Sequence, residues 1–409
     1  MLALALAATP FYDTKNGIPG CCRYHAGPIP FTFLEVLLVA AVGVGLVATR
    51  GRLPWRNHYT WPAVVFLAGA TLDTWFTPNP STGGAHQGQE LAAGILKAYF
   101  LEPVLAGLVI AAFATTWRNA RIMLAGLGLA GVYVAIANIW TVLMAFHHHT
   151  FDPYTPPVAI YNSANDVALF LVPLEAVAMA VGLWSRNQWE RLAAAAFLLV
   201  TVPAVGLSYS KGGWLALIAV VLVVGAFHPW RKWLAMAVVV IPGIALGASS
   251  SVRKRLGAEL TSSSNQVNTL GSRMRLWESA LNMLIHKPIF GGGLRGFALA
   301  LKPYQDQGYN EHLLYPHNLV LNFWTETGLV GLTGFLWIVW KVIRAIRYGL
   351  KDGPHSRLMS IGLLGALAAV GIHGMVDVPY FKNDLAVVWW ALLGLQLGLA
   401  KGEGEARPV

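Results

Sequence analysis

The 409-residue chain is 56% hydrophobic and only 12% charged, with a mean hydropathy of +0.54, which excludes a soluble globular protein and points to an all-α, polytopic integral membrane protein. A formal net charge of +10 would suggest nucleic acid in a soluble chain. Here membrane topology accounts for much of it and no soluble basic domain is evident, so no nucleic-acid partner is expected.

Taken in order, Met1 to Phe11 is apolar but, at about 1.5 Å per residue, too short to cross a core of about 30 Å. It also lacks the basic start of a signal peptide, and is expected to be a shortened or irregular first membrane helix. Cys21 and Cys22 are neighbours, which disfavours a structural disulfide between them. Apolar runs at 31–49, 60–76, 90–116, 119–146, 163–183, 189–208, 212–228, 231–248, 318–340, 358–376 and 381–400 predict about twelve transmembrane helices once the amino-terminal piece is included. The chain then divides into an N-terminal bundle (1–248), a large loop with an amphipathic helix (249–316) and C-terminal transmembrane helices (317–409).

Basic residues alternate between connections. Arg50, Arg52 and Arg56, Arg118 and Arg121, Arg186 and Arg191, Arg231 and Lys232, the run from Lys341 to Arg357, and Lys401 with Arg407 fall on one side; the opposite short connections hold Lys15, Arg23, Lys211 and Lys382. The first side is therefore expected in the cytoplasm. The 249–316 loop breaks the pattern: on the outer side it carries Arg253, Lys254, Arg255, Arg273, Arg275, Lys287, Arg295 and Lys302, which suggests an anionic ligand there. Its polar tract at 261–269 is predicted to be flexible.

Other polar residues gather at the same level: Asn162, Asn165 and Asp166 at the start of one span, Lys211 in the turn before another, His373 and Asp377 at the end of a third. Lys97, Glu102, Glu175 and Glu326 lie deeper, as functional groups or as structural pairs within the bundle. The run His147, His148, His149 points in three directions on a helix, so no metal site is expected.

Residues 271–287 read as an amphipathic helix with Arg273, Met274, Trp277, Ala280, Leu281 and Leu284 on one face and Arg275, Ser279, Asn282 and His286 on the other. Arg273 then points inward, where a guanidinium needs an anion or carbonyl, and Arg275 outward; a lipid headgroup would also satisfy Arg273. Pro288 stops the helix, and Gly291, Gly292, Gly293 and Gly296 allow close backbone approach. His317 and Asn318 open the next apolar run, so the imidazole sits at the positive end of a helix, a position that suits a neutral base. Glu326, nine residues on, falls on the opposite face and does not orient His317 directly.

His317-Asn318, nine residues, Gly328, two residues, Gly331 fits the H-[NSQ]-x9-G-x-x-G pattern of bacterial O-antigen ligases and related polymerases. Arg273-x-x-x-Trp277 with Pro288, Gly291, Gly293 and Phe297 is similar to the segment that precedes it there, as are Asn162 to Asp166 with Pro173 and Ser210 to Trp214. Lys211 stands where the family usually has arginine. The resemblance implies a GT-C type fold in the bacterial inner membrane, with the active site facing the periplasm. It also implies inverting, metal-independent transfer of a glycan from an undecaprenyl diphosphate-linked donor to lipid A-core, with no cofactor. His317 would be the general base, Arg273 and Lys211 would stabilise the diphosphate, and Asn318, Arg295, Asn165, Gly291, Gly293 and His373 would bind substrate. A polymerase or a protein O-oligosaccharyltransferase would use the same donor. A secondary transporter should show two comparable halves, and no internal repeat is visible; a scaffold gives no reason to collect cations, a helix-start histidine and glycine loops on one side.

Overall fold

The computed structural model describes residues 1–11, 23–26, 29–79, 87–152, 155–250, 253–254, 269–305 and 314–405. Cys21, Cys22, Lys15, Arg255, Arg407 and nearly all of the polar tract at 261–269 lie outside them. In chain order the helices are α1 (Leu2–Ala7), α2 (Phe33–Ala48), α3 (Thr60–Trp75), α4 (Gln87–Phe113), α5 (Trp117–His147), α6 (Ala164–Trp184), α7 (Gln188–Leu207), α8 (Lys211–Gly225), α9 (Arg231–Ala248), α10 (Thr269–His286), α11 (Phe297–Leu301), α12 (Leu319–Gly349), α13 (Pro354–Gly374) and α14 (Asn383–Glu405). Among the described residues the chain is all-helical, as expected, apart from a small antiparallel hairpin of β1 (Arg23–Ala26) and β2 (Ile29–Thr32) ahead of α2.

Among the described residues seven helices, α4, α5, α6, α7, α12, α13 and α14, are long and apolar enough to cross a membrane, and α2 and α8 are shorter apolar helices. The chain is thus a multi-pass membrane protein. Of the amino-terminal segment, Leu2–Ala7 is helical and packs on α2 and α5. The expected break at 116–119 is real, since the Thr116 side chain caps α5 by accepting from Asn119 N–H. Between 87 and 113 the helix runs on through a π-helical turn at Leu96–Leu101, where Lys97 Nζ meets Glu35 Oε1 at 2.7 Å. Lys97 therefore neutralises a buried carboxylate from α2.

The C-terminal helices are not a separate body. α12 packs along α3, α14 along α4, and α13 against α6 and α8. Around them Phe66 (α3), Phe100 (α4) and Phe323 (α12) interlock with Tyr380 and Phe381 from the α13–α14 connection; centroids lie 5.0 Å apart for Phe66 and Phe100, and 4.8 Å for Phe323 and Phe381. Tyr380 is tied further by its hydroxyl to Tyr99 O at 2.7 Å. This aromatic knot anchors the connection that carries Asp377.

α12 is broken at Gly328, whose φ of 59° and ψ of −173° suit glycine. The strap after α10 enters the break: Leu329 N–H donates to Ile289 O at 2.9 Å, Gly292 N–H to Thr325 O at 2.8 Å, and Trp324 Nε1 to Pro288 O at 2.7 Å. One turn on, α3 crosses so closely that a Cβ on Gly69 would lie 2.1 Å from Gly331 N, and one on Gly334 2.3 Å from Phe66 N. Gly69→Leu should therefore cost on the order of 1–3 kcal/mol through overpacking. Gly128→Ala, which meets nothing within 4 Å, should be neutral or stabilising by up to about 1 kcal/mol. Thermal unfolding in detergent, with midpoints in the order Gly128→Ala at or above wild type and Gly69→Leu well below it, checks both.

Candidate functional site

Three segments converge where α6, α12 and the α13–α14 connection meet. Asn318 is the N-cap of α12: its Oδ1 accepts from Val320 and Leu321 N–H at 3.1 Å, while its Nδ2 donates to Met375 O at 3.1 Å. Both ends of its amide are thus used in pinning the helix start to the connection. His317, just before the cap, has φ of 48°, a left-handed conformation histidine tolerates better than most residues. Its Nδ1 lies 3.1 Å from Asp377 Oδ1.

Asp377 is the meeting point. Its Oδ1 also accepts from Val378 N–H at 2.9 Å, and its Oδ2 accepts from Asn165 Nδ2 at 2.7 Å with Arg273 Nη2 at 3.8 Å. Burial pushes the carboxyl up, but the hydrogen bond from His317 and the charges of His317, His373 and Arg273 outweigh it and hold the group well below the usual carboxylate range. Asp377 is then ionised at neutral pH. Because its folded pKa is depressed, the stability it lends is present above the ordinary carboxylate value near 4 and is lost only as pH falls through its own lower value. In the neutral form of the His317 ring, an ionised Asp377 favours the tautomer with its hydrogen on Nδ1 and Nε2 as the acceptor.

α6 starts here because Ser163 caps it. Asn165 hands the network on, its Oδ1 accepting from Ser210 Oγ at 2.8 Å, and Ser210 in turn caps α8 by accepting from Gly213 N–H at 3.1 Å. Lys211 is the first residue of α8, so its backbone stands beside the cluster. At Gly212 a Cβ would sit 2.8 Å from His373 Nε2. His373 is buried with no hydrogen-bond partner on either ring nitrogen, packed against α8 rather than opposite His317.

Arg273 is half-buried and Arg275 exposed, in line with the helical phase. The predicted apolar stripe, however, divides: Leu276, Ala280, Met283 and Leu284 are buried, while Met274 and Leu281 are exposed. The glycine strap forms a second locus. Positive φ values at Gly291 and Gly293 (57° and 80°) let backbone approach protein backbone: added Cβ atoms would meet Trp324 O at 2.6 Å and Thr77 N at 2.7 Å. Their close approach is thus to α12 and the end of α3. Arg295, also at positive φ and with an exposed side chain, donates its N–H to the Glu326 carboxylate, which explains why Glu326 faces away from His317.

Residues 194–336 match the family model described as O-Antigen ligase. An 80-residue stretch is 31% identical to the Rickettsia conorii protein named "Putative polysaccharide ligase RC0486", covering 18% of this chain and 20% of that protein. The likeness to the O-antigen ligase family thus rests on residues 194–336. An uncharacterized protein of Haemophilus influenzae is 24% identical over 252 residues, 57% of this chain and 60% of the relative. The alignments thus span less than two thirds of either curated relative.

The matched segment contains Lys211, Arg273, Arg295 and His317 but ends before Asp377 and His373. Hydropathy sets Asp377 just past the end of an apolar run, but nothing local pairs it with His317. The available signal was an acidic residue closing an apolar helix, four residues after a histidine. Reasoning also left Lys382 unassigned. Its ammonium pairs with Asp166, the neighbour of Asn165, and Tyr161 donates to the nearby Asp384 at 2.9 Å. Asp166 is buried, so Lys382→Met leaves a buried carboxylate without its cation and should cost about 3–5 kcal/mol. Lys382→Met combined with Asp166→Asn should recover much of that loss in the thermal midpoint.

Proposed function

We propose that the protein is a glycosyltransferase of about twelve transmembrane helices and GT-C type in the bacterial inner membrane, working at the periplasmic leaflet. It joins the glycan of an undecaprenyl diphosphate-linked donor to lipid A-core with inversion and without a metal. The observation that carries this reading is the His317–Asp377 pair with the Arg273 guanidinium on the same carboxylate. A base and a cation, both within the segment similar to the O-antigen ligase family, share one anchor that lies beyond it.

In this mechanism His317 Nε2 takes the proton of the acceptor hydroxyl as its oxygen attacks the anomeric carbon, and Asp377 stabilises the imidazolium that forms. The C–O bond to the diphosphate breaks with its electron pair, and Arg273, with Lys211, meets the growing charge on the leaving oxygens. Asn165 and Asn318 hold Asp377 and His317 in register; Arg295 offers a further cation from the strap. A diphosphate is already a good leaving group, so side-chain cations suffice, and among the described residues no group of three His, Cys, Asp or Glu stands together as a metal-binding set.

His317→Ala should lower transfer by about 10²–10⁴, and Asp377→Asn should approach the same loss, because an asparagine amide can donate to Nδ1 and shift the ring proton to Nε2. Arg273→Ala should cost far more than Arg275→Ala. Transfer assays on folded, donor-binding variants check the order; a wild-type rate in His317→Ala would remove the base.

The acceptor is decided by offering purified protein the lipid-linked glycan alone and then with lipid A-core. Product only with core is expected. A ladder of lengthened glycan without core would assign a polymerase instead.

A further inference from the structure

The divided stripe on α10 leaves an apolar sector turned away from the protein. Met274, Leu281 and Ile285 are 58%, 45% and 76% exposed, and at about 100° per residue they fall within roughly 40° of one another. The opposite sector, Leu276, Ala280, Met283 and Leu284, is buried against α11 and α12. Between the two sectors on one side run Glu278, Arg275, Asn282 and His286, all exposed, and Lys287 follows. A loop helix bathed on three sides by water would not carry a second apolar sector.

The surroundings say what covers it. Trp277 Nε1 donates to Pro316 O at 2.9 Å, which holds α10 beside the start of α12, a membrane-crossing helix. Ile289 on the strap and Val320 on the first turn of α12 are exposed as well, 54% and 47%. An exposed apolar sector held beside the start of a spanning helix, with Arg275 and Lys287 outnumbering Glu278 along its edge, fits the boundary between acyl chains and phosphate headgroups. We propose that α10 lies in the bilayer surface on the His317 side, with Met274, Leu281 and Ile285 in the acyl edge and Arg275, His286 and Lys287 at headgroup phosphates. The occupant is bilayer phospholipid. By the same phase Arg273 lies between Ala280 and Leu284 on the protein-facing side, so this seating directs it to Asp377 and not to the acyl edge.

The test uses the full chain in phosphatidylethanolamine–phosphatidylglycerol vesicles, with Cys21→Ser and Cys22→Ser as background and a fluorophore on Leu281→Cys, Ile285→Cys or Asn282→Cys. Such helices sit about 5–10 Å into the headgroup–acyl boundary. The 281 and 285 labels should therefore lose emission to lipids with a nitroxide high on the acyl chain and be shielded from aqueous iodide, while 282 should show the reverse. Iodide reaching 281 and 285 as readily as 282 would overturn the proposal. Protection from both quenchers would overturn it too, since a protein segment would then cover the sector.

Discussion

A single carboxylate holds the candidate site together. Asp377 receives its neighbour Val378 N–H together with Asn165, His317 and Arg273, so three segments far from it in the chain are referenced to two oxygen atoms. A buried anion with so many donors is costly to move, because any displacement leaves charge unpaired in a medium of low dielectric. The aromatic knot beneath it, with Tyr380 bonded to α4, keeps the carboxylate from following its partners. The result is a rigid acceptor around which a base and a cation are arranged before any substrate arrives.

The spacing of the histidine motif has a mechanical reading. Asn318 caps α12, and Gly328 breaks it ten residues on, which places the break about 15 Å along the helix from the cap. The strap that follows α10 closes the break with its own backbone groups, and Gly331 admits α3 one turn later. The glycines therefore join α10, bearing Arg273, to α12, bearing His317, by main-chain contacts. Glu326, beside the break, accepts from the strap at Arg295. The separation of Arg273 from His317 thus depends on two short bridges, the backbone of the strap in the break and the Trp277 side chain on Pro316 O.

Charge at the start of α6 follows a similar economy. Asp166 and Asp384 are both buried, and Lys382 stands at Asp166 while Tyr161 serves Asp384. Lys382 belongs to the connection that holds Asp377, and Asp166 adjoins Asn165, so the ion pair and the Asn165–Asp377 hydrogen bond close the same gap in parallel. Two links between the same segments restrict sliding that either alone would permit.

Sequence alone determined the membrane character, the position of most long helices, the stop at Pro288, the inward phase of Arg273 and the candidacy of His317. Each follows from hydropathy, helical period or capping, which act over a few neighbouring residues. Tertiary structure decided what pairs with what. Asp377 lies 60 residues from His317 and 212 from Asn165, and no local pattern reports such a meeting. The glycines at 291 and 293 looked like room for a ligand because a missing Cβ is silent about what fills its place; the fold fills it with backbone. The two apolar sectors of α10 merged into one stripe for a related reason: hydropathy records that a side chain avoids water, and only packing tells protein from lipid.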